Sequence, residues 1–238
     1  SFKNLNEFAN EFEIDLVIIA TPTDTHLSVI EETIKSIKPK MILCEKPLSY
    51  SFNDACRIVN RCKNANIELF VNYIRRSDPA VIDVKNKIDK NLIKTPVKGI
   101  CWYSKGLFNN GSHFINLLEY WLGNYKTLKI INSGRFFNNI DPEPEFTIEY
   151  EKGSIVFRNA WEEYFSFYKL EIISESGVLR YEKGGDTVEF YGVENDPKFK
   201  GYKILSDSKL ILKSEMDIYQ LNVLDQIYKY YLGKNNTL

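Results

Sequence analysis

The sequence predicts an α/β protein in two parts. A parallel sheet with helices on its faces occupies residues 1–76, and an α+β domain with a large, mostly antiparallel sheet occupies 77–238. Three observations predict this. Up to about residue 76, helical spacing and apolar runs alternate in the order helix, strand, helix, strand, helix, strand, with short loops. From about residue 96, helical spacing gives way to one strand-like run after another. All 12 glycines lie at or after Gly99, so composition changes along with pattern.

Each element has a local reason. Residues 4–13 read as a short helix. "DLVIIA" (15–20) is a continuous β-branched run bounded by turn residues, which predicts a strand buried on both faces. "TPTDTH" follows as a loop. Leu27, Ile30, Ile34 and Ile37 recur at helical spacing, and Pro39 ends that helix. "KMILCE" (40–45) is the next strand, "KPLSYS" a loop, and 51–65 a helix with Ser51 as N-cap. "IELFVNY" (67–73) is a third strand, and 79–90 another helix. Right-handed crossovers then make the three strands parallel. Beyond them come "VKGICWY", "LKIINSGRFF", "EFTIEY", "SIVFRNA", "YKLEIIS", "GVLRYE", "TVEFYG" and "YKILSD", with hairpin signals at "EKGS", "ESGV" and "EKGGD". A helix over 111–123 interrupts them, its apolar face being Phe114, Leu117, Leu118 and Trp121, and a last helix runs near 214–232.

Composition excludes several function classes. With 44% hydrophobic residues, 15 Tyr and 15 Phe, the chain can bury a core and is not disordered. A formal charge of −1 gives no basic face for nucleic acid. No apolar run reaches the ~18 residues a membrane span needs. The opening "SFKNLNEFANEFEIDL" is charged and amphipathic, unlike a signal peptide. Cys44, Cys56, Cys62 and Cys101 form no C-x-x-C pair, so no metal site is expected. They read as free thiols of a cytoplasmic protein.

Ligands of an open parallel sheet bind at the carboxyl ends of its strands. Three such ends are visible: "TPTDTH", "EKP" and "NYIRR". Lys46 at such an edge can donate a proton or hold an oxyanion, although a lysine before a proline is also ordinary surface sequence. The Lys46–Pro47 bond is a candidate for the cis form. His113 stands at the start of a helix, where the dipole favours neutral imidazole, which can take a proton from an alcohol. A capping or packing role fits it equally. Asn109 and Asn110 suit a turn. Arg75 and Arg76 reach an anionic ligand or form a solvated pair. "GLFNNGSH" lacks the Lys-Ser/Thr of a phosphate loop.

Taken in order, "IDLVIIATPTDTH", "ILCEKPLS", "FVNYIRRSDPA" and "NNGSHFINLLEYWLG" resemble the Gfo/Idh/MocA oxidoreductases, with the specific motifs between about 14 and 123. The resemblance implies that residues 1–76 are the C-terminal part of a doubly wound, Rossmann-like dinucleotide-binding domain. It makes 77–238 a substrate-binding and oligomerisation domain with an open sheet. It implies NAD or NADP as cofactor. The substrate would be a small polar molecule, a sugar, nucleotide sugar or cyclitol, and the assembly a homodimer or homotetramer through the sheet. Lys46 becomes the active-site lysine and His113 the acid/base histidine, with Asn109 beside it. Thr21, Pro22, Thr23, His26, Glu45 and Lys46 line the cofactor, and Arg76 and Asn116 the substrate.

The sequence departs from that pattern in three ways. No G-x-G-x-x-G precedes the first strand, so roughly 60 residues of βαβ, at ~30 per unit, are expected to be missing. The chain alone is then expected to bind dinucleotide weakly or not at all, and its sheet edge needs covering. Asn109 and Asn116 stand where the family often has aspartates, and asparagine cannot accept a proton. The segment between Tyr103 and Gly106 is short, and the family's last helix is not expected within the chain. A second reading follows from these departures: a non-catalytic binding or assembly module that keeps the family's sheet interface.

Overall fold

The computed structural model describes residues 13–160 and 165–234, so the expected helix at 4–13 lies, apart from Glu13, outside the described residues. The chain divides between Tyr73 and Ile74 into two compact units.

The first unit is a parallel three-stranded sheet in the order β1-β2-β3, with β1 at Leu16–Ile19, β2 at Met41–Glu45 and β3 at Glu68–Asn72. Helices α1 (His26–Ser36) and α2 (Phe52–Asn64) make the crossovers. Ser51 caps α2 as expected, its hydroxyl accepting from the Asp54 amide at 3.3 Å. Because the strand order advances in one direction, right-handed crossovers bring both helices to one face. Val17, Ile19, Ile42, Cys44 and Leu69 share that face with Ile30, Ile58 and Cys62. Burial on both faces, expected for β1, holds instead for the central β2, whose Met41, Ile42, Leu43 and Cys44 are all buried. In β1, Ile18 points away from the helices and is 52% exposed. Among the described residues β1 has a strand on one side only, and a continuous apolar run does not report position within a sheet. Burial pushes the Cys44 thiol up to about 12, and the four cysteines are free.

The second unit, Ile74–Lys234, holds an eight-stranded sheet in the order β11-β10-β9-β8-β4-β7-β6-β5. In chain order the strands are Val97–Tyr103 (β4), Tyr125–Phe137 (β5), Asp141–Tyr150 (β6) and Gly153–Asn159 (β7). Lys169–Ser174 (β8), Gly177–Glu182 (β9), Thr187–Asn195 (β10) and Lys203–Leu212 (β11) complete it. Every neighbouring pair is antiparallel except β4–β7. One face packs on helices α3 (Pro79–Asp89) and α4 (Ser112–Leu122). Phe146 and Phe157, paired in register, stack at 4.5 Å, and the Trp121 indole donates to the Val81 carbonyl at 2.9 Å. The other face is laced with charge pairs such as Arg180–Glu171 and Lys209–Glu189. The last helix, α5, is Tyr219–Tyr231, preceded by a short 3₁₀ turn at Met216–Ile218. Asp78 caps α3 through the Ala80 amide, and its other oxygen accepts from the Ser214 hydroxyl and the Glu215 amide, so one buried carboxylate ties α3 to the approach of α5. Among the described residues no helix is long and apolar enough to cross a membrane.

Candidate active site

In the first unit, β1 and β2 are parallel, with Ile19 opposite Cys44, so their carboxyl ends lie side by side. They deliver Thr21 and Pro22, both exposed, and Glu45 and Lys46, both half-buried, to one edge of the sheet. Thr23 begins a 3₁₀ turn, Thr23–Thr25, that runs into α1. The Thr25 hydroxyl braces this turn against the Pro22 carbonyl at 2.7 Å. The Asn72 amide donates to the Glu45 carboxylate at 2.6 Å, which locks the residue before Lys46 to the end of β3. Lys46–Pro47 is a cis peptide, as the sequence suggested. His26, which the resemblance places on the cofactor, is only 1% exposed, with its Nδ1 3.1 Å from the Leu48 carbonyl and its Nε2 3.0 Å from the Thr21 carbonyl.

In the second unit, His113 is the second residue of α4 and is buried. It is reached through a π-helical turn, Leu107–Gly111, which contains Asn109 and Asn110, the residues that suit a turn. The backbone of this turn is held by acids from β6. The Asp141 carboxylate accepts the Phe108 and Asn109 amides at 2.8 Å each, and Glu143 accepts the Gly106 amide at 3.1 Å. Glu143 is 0% exposed and pairs with the Arg135 guanidinium at 2.8 Å. Burial raises the Asp141 carboxyl above the usual carboxylate range, against the pull of the amides of Phe108, Asn109 and Leu107 and with help from the Glu143 charge. Gly106 has φ +87°, and a Cβ there would lie 2.1 Å from an Asp141 oxygen, so only glycine fits. Asn110 links the turn to the Ser104 carbonyl at 3.0 Å and the Tyr168 hydroxyl at 2.6 Å. Asn116, half-buried, follows His113 by one helical turn.

The arginine pair divides. Arg76 stacks on the Tyr120 ring at 4.6 Å, and burial lowers its pKa. Arg75 lies beside Gly184 and Tyr181, and its Nε is buried with no hydrogen-bond partner among the described residues.

Residues 1–73 match the profile of the Gfo/Idh/MocA oxidoreductase family, NAD-binding Rossmann fold. Over those residues the chain is similar to this family. Among curated proteins, the scyllo-inositol 2-dehydrogenase (NAD(+)) of Bacillus subtilis is 33% identical over 140 residues, which is 53% of this chain and 40% of that protein. The chain thus spans well under half the length of that relative. Among solved structures, a levoglucosan dehydrogenase in complex with NADH and levoglucosan superposes with a TM-score of 0.74 at 15% identity, covering 98% of this chain and 75% of that one. A super-repressor mutant of Gal80p from Saccharomyces cerevisiae superposes with a TM-score of 0.78 at 15% identity, covering 99% of this chain and 71% of that one. At such identities the superpositions show the fold.

Each unit groups its own predicted residues. Thr21, Pro22, Thr23, Glu45 and Lys46 share one sheet edge. Asn109, His113 and Asn116 share the π-turn and α4. Asp141 and Glu143 escaped sequence reasoning. The strand-like run read from the sequence begins only at "EFTIEY", after the two prolines of "DPEPE", yet β6 begins at Asp141. Their alternation at i and i+2, which puts both on one face of an extended strand, was the available signal.

Proposed function

We propose that this chain serves an NAD(P)-dependent oxidoreductase that moves a hydride between the nicotinamide and a hydroxyl or carbonyl of a sugar, nucleotide sugar or cyclitol. The observation that carries the reading is the common carboxyl edge of β1 and β2, which presents Thr21, Pro22, Glu45 and Lys46 together where an open parallel sheet receives its ligand. The exposed hydroxyl and backbone of Thr21, with Pro22, Thr23, Glu45 and Lys46, fit the nicotinamide end of a dinucleotide. NAD(P), when bound, supplies the hydride acceptor or donor. The chain's own groups handle the proton. As an alcohol is oxidised to a carbonyl, its hydroxyl proton passes to Lys46 or His113, and in reduction the same group returns it. Asn109 and Asn116 orient substrate hydroxyls, since an amide donates and accepts hydrogen bonds without titrating. Arg76 joins them on the substrate side.

The test uses the protein from its full reading frame with NAD and NADP and a panel of sugars, nucleotide sugars and cyclitols, following absorbance of the reduced nicotinamide. Turnover of at least one panel member is expected; none with either cofactor would sink the reading. Clear saturable NAD(H) binding by calorimetry would argue against the second reading, a non-catalytic module. Asn109 and Asn116 in place of acids, and the fold shared with a Gal80p repressor variant, speak for that alternative.

The four free thiols suit a reducing cytoplasm, where we place the protein. We place a homodimer or homotetramer interface on the sheet of the second unit. Edge strand β5 leaves Leu128, Ile130, Ile131 and Phe136 at least half exposed, more apolar surface than a lone edge strand usually shows. Light scattering at micromolar concentration should give two or four times the chain mass, and Ile130→Lys should lower it. A strictly monomeric wild type would refute the placement.

A further inference from the structure

We propose that His26 is a positioning residue: its ring ties the loop after β1 to the loop after β2 and so fixes where Lys46 sits. The inference deepens the reading above and rests on Lys46 serving the reaction.

The residues that follow a parallel strand have left the ladder, so their carbonyls need other partners. Thr21 and Leu48 are two such residues, on neighbouring loops, and the carbonyls of both face the same imidazole at 3.0 and 3.1 Å. The ring is almost wholly buried, so water cannot substitute for it. A carbonyl only accepts, so whichever ring nitrogen carries hydrogen donates to the carbonyl it faces, and a ring with hydrogen on both nitrogens donates to both.

Both ends of the tie are themselves stiff. On the β1 side, Thr25 bonds the Pro22 carbonyl through both its amide, at 2.9 Å, and its hydroxyl, at 2.7 Å, and reaches the Thr21 hydroxyl at 2.9 Å. On the β2 side, the Ser51 amide donates to the Ser49 hydroxyl at 3.0 Å, and Ser51 caps α2. Lys46 therefore lies between two anchors. Glu45 before it is held by Asn72, and Leu48 two residues after it is held by His26. Releasing the second anchor leaves the lysine's backbone held from one side. Catalysis is sensitive to such freedom, because misplacing a reacting group by ~1 Å can cost about 10²-fold.

The experiment compares His26→Leu, which keeps bulk and removes the ring nitrogens, with His26→Gln, which keeps amide N–H donors. Peptide-resolved hydrogen exchange reads the loops at 21–25 and 48–51 against strand β2, and steady-state kinetics read kcat and KM separately. In His26→Leu, exchange in both loops should quicken about tenfold while β2 keeps its protection, and kcat should fall at least tenfold with KM within twofold. His26→Gln should recover more than half of each change. Three results would each overturn the proposal: unchanged loop exchange in His26→Leu, equal loss of protection in β2, which marks the ring as packing alone, or His26→Gln behaving as His26→Leu. If the wild type turns over no sugar, the reaction reading fails on its own, and the exchange contrast still decides whether His26 ties the loops.

Discussion

Replacing Lys46 with alanine is expected to slow hydride transfer by about 10²–10⁴-fold, the range lost with a positioned proton-transfer group. An alcohol cannot give up a hydride unless its hydroxyl proton leaves as positive charge builds on carbon. An amine at the carboxyl edge of a parallel sheet can take that proton, because lysine's pKa falls when water is excluded around it. Lys46→Arg should lose nearly as much rate. The guanidinium keeps the charge but stays protonated under any working condition, so it cannot relay a proton. Folding should change by no more than about 1 kcal/mol in either variant, since Lys46 is half-buried at a sheet edge. The measurement is kcat and KM on whichever polyol the panel turns over, with urea unfolding as the control. A Lys46→Ala protein with full kcat would remove this residue from the chemistry.

The second large effect belongs to Asp141. Asp141→Ala strips the acceptor from two inward-facing amides, Phe108 and Asn109, and each buried donor left unmet costs about 1–3 kcal/mol. A total loss of about 2–4 kcal/mol is expected from urea unfolding. Because the π-turn they hold leads directly into His113, kcat should fall as well. Asp141→Asn keeps one acceptor oxygen and should lose about half as much. The pH dependence has a definite sign. A folded-state pKa above the unfolded value means that the native state holds this proton more tightly. Its contribution to stability is present below the ordinary carboxylate range and disappears as pH rises through the raised folded value. Asn does not titrate. The stability gap between wild type and Asp141→Asn should therefore be widest below the ordinary carboxylate range and narrow as pH rises through the raised folded value; a gap that widens instead would show that the amides outweigh burial.

Most of the first unit was legible because its signals are local. A β-branched run between turn residues extends, apolar residues at helical spacing coil, and Ser51 caps the helix it precedes. Once three strands and two helices alternate with short links, right-handed crossovers leave little choice of topology, and the strand ends that receive ligands follow. The hairpins of the second unit were legible for the same reason, their turns lying in "EKGS", "ESGV" and "EKGGD".

The sequence by itself determined the parallel βα order, the hairpin-rich second half and the placing of Thr21, Glu45 and Lys46 at a sheet edge, because each depends on residues within about a dozen of one another. Only the tertiary structure decided that Ile18 is exposed while Leu43 is buried, and that Asp141 and Glu143 turn inward under the π-turn. It alone decided that Arg76 stacks on Tyr120, that Asp78 reaches Ser214, and that His26 spans two loops. These depend on which buried donor meets which acceptor across tens of residues. Spacing along the chain reports the state of the local backbone and carries no record of that pairing, which is set when burial removes water as the competing partner.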